Sequence, residues 1–67
     1  STGESDLLWR QSALYKAGQS LEDAEYYSDA KKVYKMLLGN SSDPKMLAKL
    51  QYRLAQIQLA ELHRVKP

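Results

Sequence analysis

An all-α fold of three antiparallel helices is what this 67-residue sequence predicts, and three observations predict it. Apolar residues recur at spacings of three and four, which places them on one side of a helix. The strand-favouring residues Val, Ile and Thr are scarce, and nothing alternates with period two over a useful length. Only one stretch, Gly39-Asn40-Ser41-Ser42-Asp43-Pro44, has the composition of an unmistakable loop.

The elements follow in chain order. Residues 1–5 are polar and read as a flexible leader, and residues 6–64 form a single helical domain. Leu7, Leu14, Ala17, Gly18 and Leu21 share one face of a first helix over about 6–23. Tyr27, Ala30, Tyr34 and Leu37 share one face of a second over about 26–38. One continuous helix from 6 to 38 would be unusually long for so small a domain, so a break is expected. Two sites compete for it. Gly18 followed by Ser20-Leu21-Glu22-Asp23 offers capping chemistry for a turn at 18–20. The other site is 23–26, which leaves Gly18 inside a helix where its missing side chain admits a close neighbour. The third helix, about 44–64, starts cleanly: Pro44 suits a first turn, and the Asp43 carboxylate can accept backbone N–H groups left unpaired there.

Composition narrows the rest. A chain this short has a marginal core, and small domains often recruit a staple or a partner. With no cysteine, disulfides and thiolate metal sites are ruled out. That lack suits the cytosol and a cysteine-poor periplasmic protein equally, so localisation stays open between them. No apolar run approaches the roughly 20 residues that span a bilayer. The net charge of +2 hides a division. Residues 1–30 hold six acidic groups against two basic ones, while residues 31–67 hold eight basic groups against two acidic ones. Solvated faces of opposite sign explain this most simply; a basic face that attracts an acidic partner is the functional reading.

Residues 14–44 resemble a tetratricopeptide repeat (TPR). The residues that carry the likeness are Leu14, the small pair Ala17-Gly18, Leu21, then Ala30, Tyr34 and Pro44. Gln51-Tyr52-Arg53-Leu54-Ala55 is similar to the opening of a following repeat. The resemblance covers about one and a half repeats and implies a helix-turn-helix unit plus a capping or next-repeat helix. It also favours the turn at 23–26. Two departures stand out: the glycine usual between the two helices is replaced by Ala24 or Glu25, and the proline comes about two residues late. The longer loop is similar to repeats in bacterial envelope proteins.

The third helix is the most informative element. Leu47, Leu50, Leu54 and Ile57 make one apolar row, and Ala48, Tyr52, Ala55, Leu59 and Leu62 make another. A helix with a single partner needs only one stripe. The second row therefore calls for a companion: a next repeat in a longer chain, a foreign helix, or a second copy. The expected function is a protein–protein interaction scaffold that binds a peptide or helix of a partner, an acidic one in view of the basic half, or that self-associates.

The resemblance implies that the first helix of each repeat lines the binding surface. Ser12, Tyr15, Lys16, Gln19, Lys49, Tyr52, Arg53 and Gln56 would face it, with Leu59 and Leu62 extending the contact along the second row. Lys49 and Arg53 stand where chaperone-tail binders of the family hold a terminal carboxylate, although Lys16 replaces an expected asparagine. Trp9, beside Leu7 and Leu8, is expected to pack on the end of the third helix.

No catalytic constellation is visible, so the chain is expected not to be an enzyme and to need no cofactor. His63 is the lone histidine and has no cysteine or carboxylate cluster to complete a metal site; its place suits a helix C-terminus. Glu22, Asp23 and Glu25 lie near a turn with no apolar pocket to tune them. Two rival readings remain. One is a three-helix module of the microtubule-interacting and trafficking type, which binds amphipathic helices between its own. The other is a weak nucleic-acid binder, in which Lys31, Lys32, Lys35, Lys45, Lys49 and Arg53 meet phosphates while Tyr26, Tyr27, Tyr34 and Tyr52 stack on bases.

Overall fold

The computed structural model describes residues 3–65, with side-chain environments from 7 to 64. Three helices fill that range: α1 (Gly3–Asp23), α2 (Tyr27–Asn40) and α3 (Pro44–Val65). Contacts run in opposite senses across each junction. Gly18 meets Tyr34 while Gln11 reaches Asn40; Tyr27 meets Arg64 while Lys31 reaches Glu61. Both hairpins are antiparallel.

α1 begins earlier than the composition suggests. The polar leader expected over residues 1–5 is helical from Gly3 onward, and residues 1 and 2 lie outside the described range. The chain turns at Ala24–Tyr26, not at 18–20. Three backbone bonds shape the turn: Ala24 N–H donates to Ser20 O, Glu25 N–H to Glu22 O, and Tyr26 N–H to Leu21 O, the last two at 2.9 Å. This six-to-one and five-to-two pairing is a Schellman closure, which needs a left-handed residue at its second-to-last position. Glu25 takes it, with φ of 66°. That is where glycine would relieve the strain of a side chain.

At the second junction Asp43 caps α3, its Oδ1 accepting the Lys45 N–H at 3.1 Å. The Asp43 N–H in turn donates to Ser41 Oγ at 3.3 Å. Proline at the first helical position gives up no bond, because its missing N–H would be unpaired there anyway.

α2 is the shared element. Ala30, Tyr34 and Leu37 along one face are fully or nearly fully buried, between α1 and the first row of α3. Leu50 and Ile57 from that row complete the core, with Leu14, Leu21, Leu54 and Met46 packed around it. Gly18 is the close-approach point between α1 and α2: a methyl group built on it would lie 2.5 Å from Cε1 of Tyr34. A bulky tyrosine therefore seats directly against α1 backbone.

α1 is 21 residues long and α2 only 14. The Gln11 amide donates to the Asn40 carbonyl at 3.3 Å, so α2 ends opposite Gln11. The residues of α1 before it run on for about 12 Å at 1.5 Å per residue. That overhang helps stretch the molecule to 54 × 20 × 13 Å. It also corrects two expectations. Leu7 continues the inward stripe but is exposed, because α2 does not reach it. Trp9 does not pack on the third helix; it is 73% exposed, the most open of the large apolar side chains.

Candidate interaction surface

The residues expected to form the site divide into two groups. The first lies where α1 and α3 adjoin. Tyr15 stands 5.8 Å from Tyr34 between ring centroids, tilted by 45°, and the Lys49 ammonium lies over its ring 5.7 Å from the centroid. Tyr15, Gln19, Arg53 and Gln56 are half-buried here, while Lys49, Ser12 and Lys16 are exposed. Tyr15 is thus as much core lining as contact surface.

Glu22, expected only to lie near a turn, is the centre of this region. Its Oε1 accepts the Tyr34 hydroxyl at 2.8 Å and Arg53 Nε at 3.0 Å, and its Oε2 accepts Arg53 Nη2 at 2.9 Å. One carboxylate thereby joins all three helices, and the Arg53 fork is bidentate. The side chains are 12% and 25% exposed for Glu22 and Arg53, so water screens the pair only in part. Burial, reinforced by the hydrogen bond to Glu22 and its charge, pushes the Tyr34 hydroxyl well above the ordinary tyrosine range, against a smaller lowering by Arg53. The hydrogen bond to Glu22 likewise raises the Arg53 guanidinium, over a smaller opposing effect of burial.

This network engages Arg53, one of the two cations that the resemblance places at a carboxylate clamp. Arg53 already holds a carboxylate, the chain's own Glu22, and Lys49 lies over the Tyr15 ring. The two do not form a free pair of cations. A signal for this was present in the sequence: an acid at the end of α1, a phenol in mid-α2 and an arginine in mid-α3 are all polar groups beside an apolar stripe. Pairing them requires the register between helices, which spacing along the chain does not supply.

The second group is the outward row of α3. Tyr52, Leu59 and Leu62 are 58%, 51% and 61% exposed, and Ala48 and Ala55 between them are exposed as well. On the opposite side of the same helix Leu50 and Ile57 are wholly buried. Arg53, paired with Glu22, also has its guanidinium carbon 5.9 Å from the Tyr52 ring centroid. Shallow depressions lie elsewhere. One, of about 610 Å³, opens at the first turn between Tyr26, Asp29, Glu61 and Arg64. No cluster of three groups suited to a metal occurs among the described residues.

The tyrosines offered for base stacking are partly committed to the interior. Tyr34 is buried and hydrogen-bonded and Tyr27 is half-buried, while Tyr26 and Tyr52 remain exposed. Among the described residues no helix is long and apolar enough to cross a membrane. No protein-family model, curated protein or solved structure matches the chain.

Proposed function

We infer that the chain is a non-catalytic interaction module, TPR-like in its helical hairpin, that presents the outward row of α3 to a helix of another protein chain. One observation carries the reading. α3 buries Leu50 and Ile57 completely yet leaves Tyr52, Leu59 and Leu62 more than half exposed on its other side. Exposed apolar residues scattered singly are ordinary, but five residues aligned along one helix are a contact surface. Gly18 seated against Tyr34, in the small-residue place of the repeat pattern, supports the TPR-like reading of the hairpin.

An exposed stripe also weighs against the trafficking-type module, whose binding groove lies between its own helices. The committed state of Tyr34 weighs against base stacking.

The test is a titration of the isotope-labelled chain with amphipathic helical peptides whose polar faces are acidic, basic or neutral. Shifts should concentrate at Ala48, Tyr52, Ala55, Leu59 and Leu62 and vanish in Leu59→Glu. Shifts confined to the α1–α3 junction around Tyr15 and Gln19, or none at millimolar peptide, would overturn the assignment of this row.

A further inference from the structure

We propose that the outward row of α3 is a self-complementary seam, and that a second copy of this chain pairs with it in antiparallel orientation. The proposal rests on the reading of that row as a contact surface and names its occupant.

Spacing is the first argument. Ala48, Tyr52, Ala55, Leu59 and Leu62 follow one another at steps of four, three, four and three. That is the heptad rhythm of a coiled-coil seam, with Tyr52 and Leu59 in one of its two core positions and the alanines and Leu62 in the other. All five are exposed, so the seam is open in a single copy.

Size is the second. Large residues occupy one core position and small ones most of the other. A parallel, in-register pair would stack Ala48 on Ala48 and Tyr52 on Tyr52, layers that demand different distances between the helices. Reversing one helix puts unlike positions opposite each other. Tyr52 then faces Ala55 of the second copy and Leu59 faces its Ala48, so these two large side chains sit on alanines and their layers demand the same separation. Interdigitation of this kind is what dense packing requires. Leu62 falls beside the aliphatic stem of Lys45, whose ammonium reaches water.

Charge is the third. Lys49, Gln51, Gln56, Gln58 and His63 flank the seam, with no carboxylate among them. The nearby Arg53 is paired with Glu22. In the antiparallel register Lys49 lies opposite Gln56 and Gln51 opposite Gln58, so the flanking cations of the two copies do not face each other and amide hydrogen bonds can form.

Five seam residues per copy are far fewer than the roughly 20–30 a side of a stable interface, so the pair is weak and reversible. Sedimentation equilibrium from micromolar to millimolar concentration should show a monomer–dimer exchange. Leu59→Glu should weaken it on the order of tenfold or more, the loss expected from one buried leucine. Helicity should not change, since the residue is exposed. Orientation is read by cysteine cross-linking in a chain that has no cysteine of its own. Under mild oxidation Ala48→Cys mixed with Leu59→Cys should form the disulfide, and neither should form it alone, because like positions lie 11 residues, about 16 Å, apart along the seam. Cross-linking of each variant with itself would overturn the antiparallel pairing. A millimolar monomer that still takes up a foreign helical peptide on this row would overturn the second copy as occupant and leave the interaction reading standing. A chain that did neither would overturn both.

Discussion

Gly18 and Tyr34 touch so closely that any side chain at 18 would enter the tyrosine ring. A methyl carbon there falls 2.5 Å from Cε1 and 3.0 Å from Cδ1. The ring cannot swing away, because it is fully buried and its hydroxyl is tied to Glu22. Overpacking of a core costs about 1–3 kcal/mol. Alanine in place of glycine inside a helix returns only about 1 kcal/mol. Gly18→Ala should therefore destabilise the chain by on the order of 1 kcal/mol in urea unfolding. In a Tyr34→Leu background the same change should become neutral or stabilising, since the obstructing ring is gone.

Glu25 is the opposite case, a side chain where none is wanted. Its φ of 66° lies in the left-handed region that a residue with a Cβ adopts at a cost. The Schellman bonds on either side hold it there. Glu25→Gly should raise stability by about 0.5–1 kcal/mol, measured as a higher urea midpoint with unchanged slope. A fall in midpoint would mean that the glutamate side chain contributes more than its backbone strain.

The Tyr34 hydroxyl gives the fold an alkaline limit. Its ionisation is raised in the folded state, first by burial and then by Glu22. The folded chain thus keeps a proton that the unfolded chain releases near pH ~10. The stability it contributes is complete below that pH and is lost as pH rises above it, at about 1.4 kcal/mol per pH unit. Thermal melts between pH 9 and 11.5 should show the drop, and Tyr34→Phe should flatten its onset. An unchanged alkaline profile in Tyr34→Phe would remove Tyr34 as its source.

Glu22 and Arg53 should couple strongly because the pair is bidentate and half sheltered. Leaving either group without its partner costs about 1–3 kcal/mol, below the 3–5 of fully buried pairs because solvent reaches this one. Glu22→Gln and Arg53→Met should each destabilise, and the double variant should cost less than the two together. A double-mutant cycle measures the difference. Strict additivity would show that the geometry contributes no coupling.

Local chemistry made much of the fold legible. Asp43-Pro44 carried the start of α3 in its own residues, and the period of Ala30, Tyr34 and Leu37 carried the buried face of α2. Both rows of α3 were readable from spacing alone, and one of them is buried and the other open. These features depend on neighbours within a few residues, which is the range over which helix periodicity and capping act. What lies far apart in the chain was not readable. Leu7 is exposed because α2 stops opposite Gln11, and Arg53 is occupied because the register of α1 against α3 brings Glu22 within 3.0 Å. The sequence by itself determined three helices, the cap of the third and a helix with two apolar faces. Only the tertiary structure decided which polar groups pair, because a pairing across |i−j| of 31 depends on how far each helix slides along its neighbour. Packing on α2 sets that offset, and the ring of Tyr34 lodged against the bare backbone of Gly18 fixes the α1 side of it.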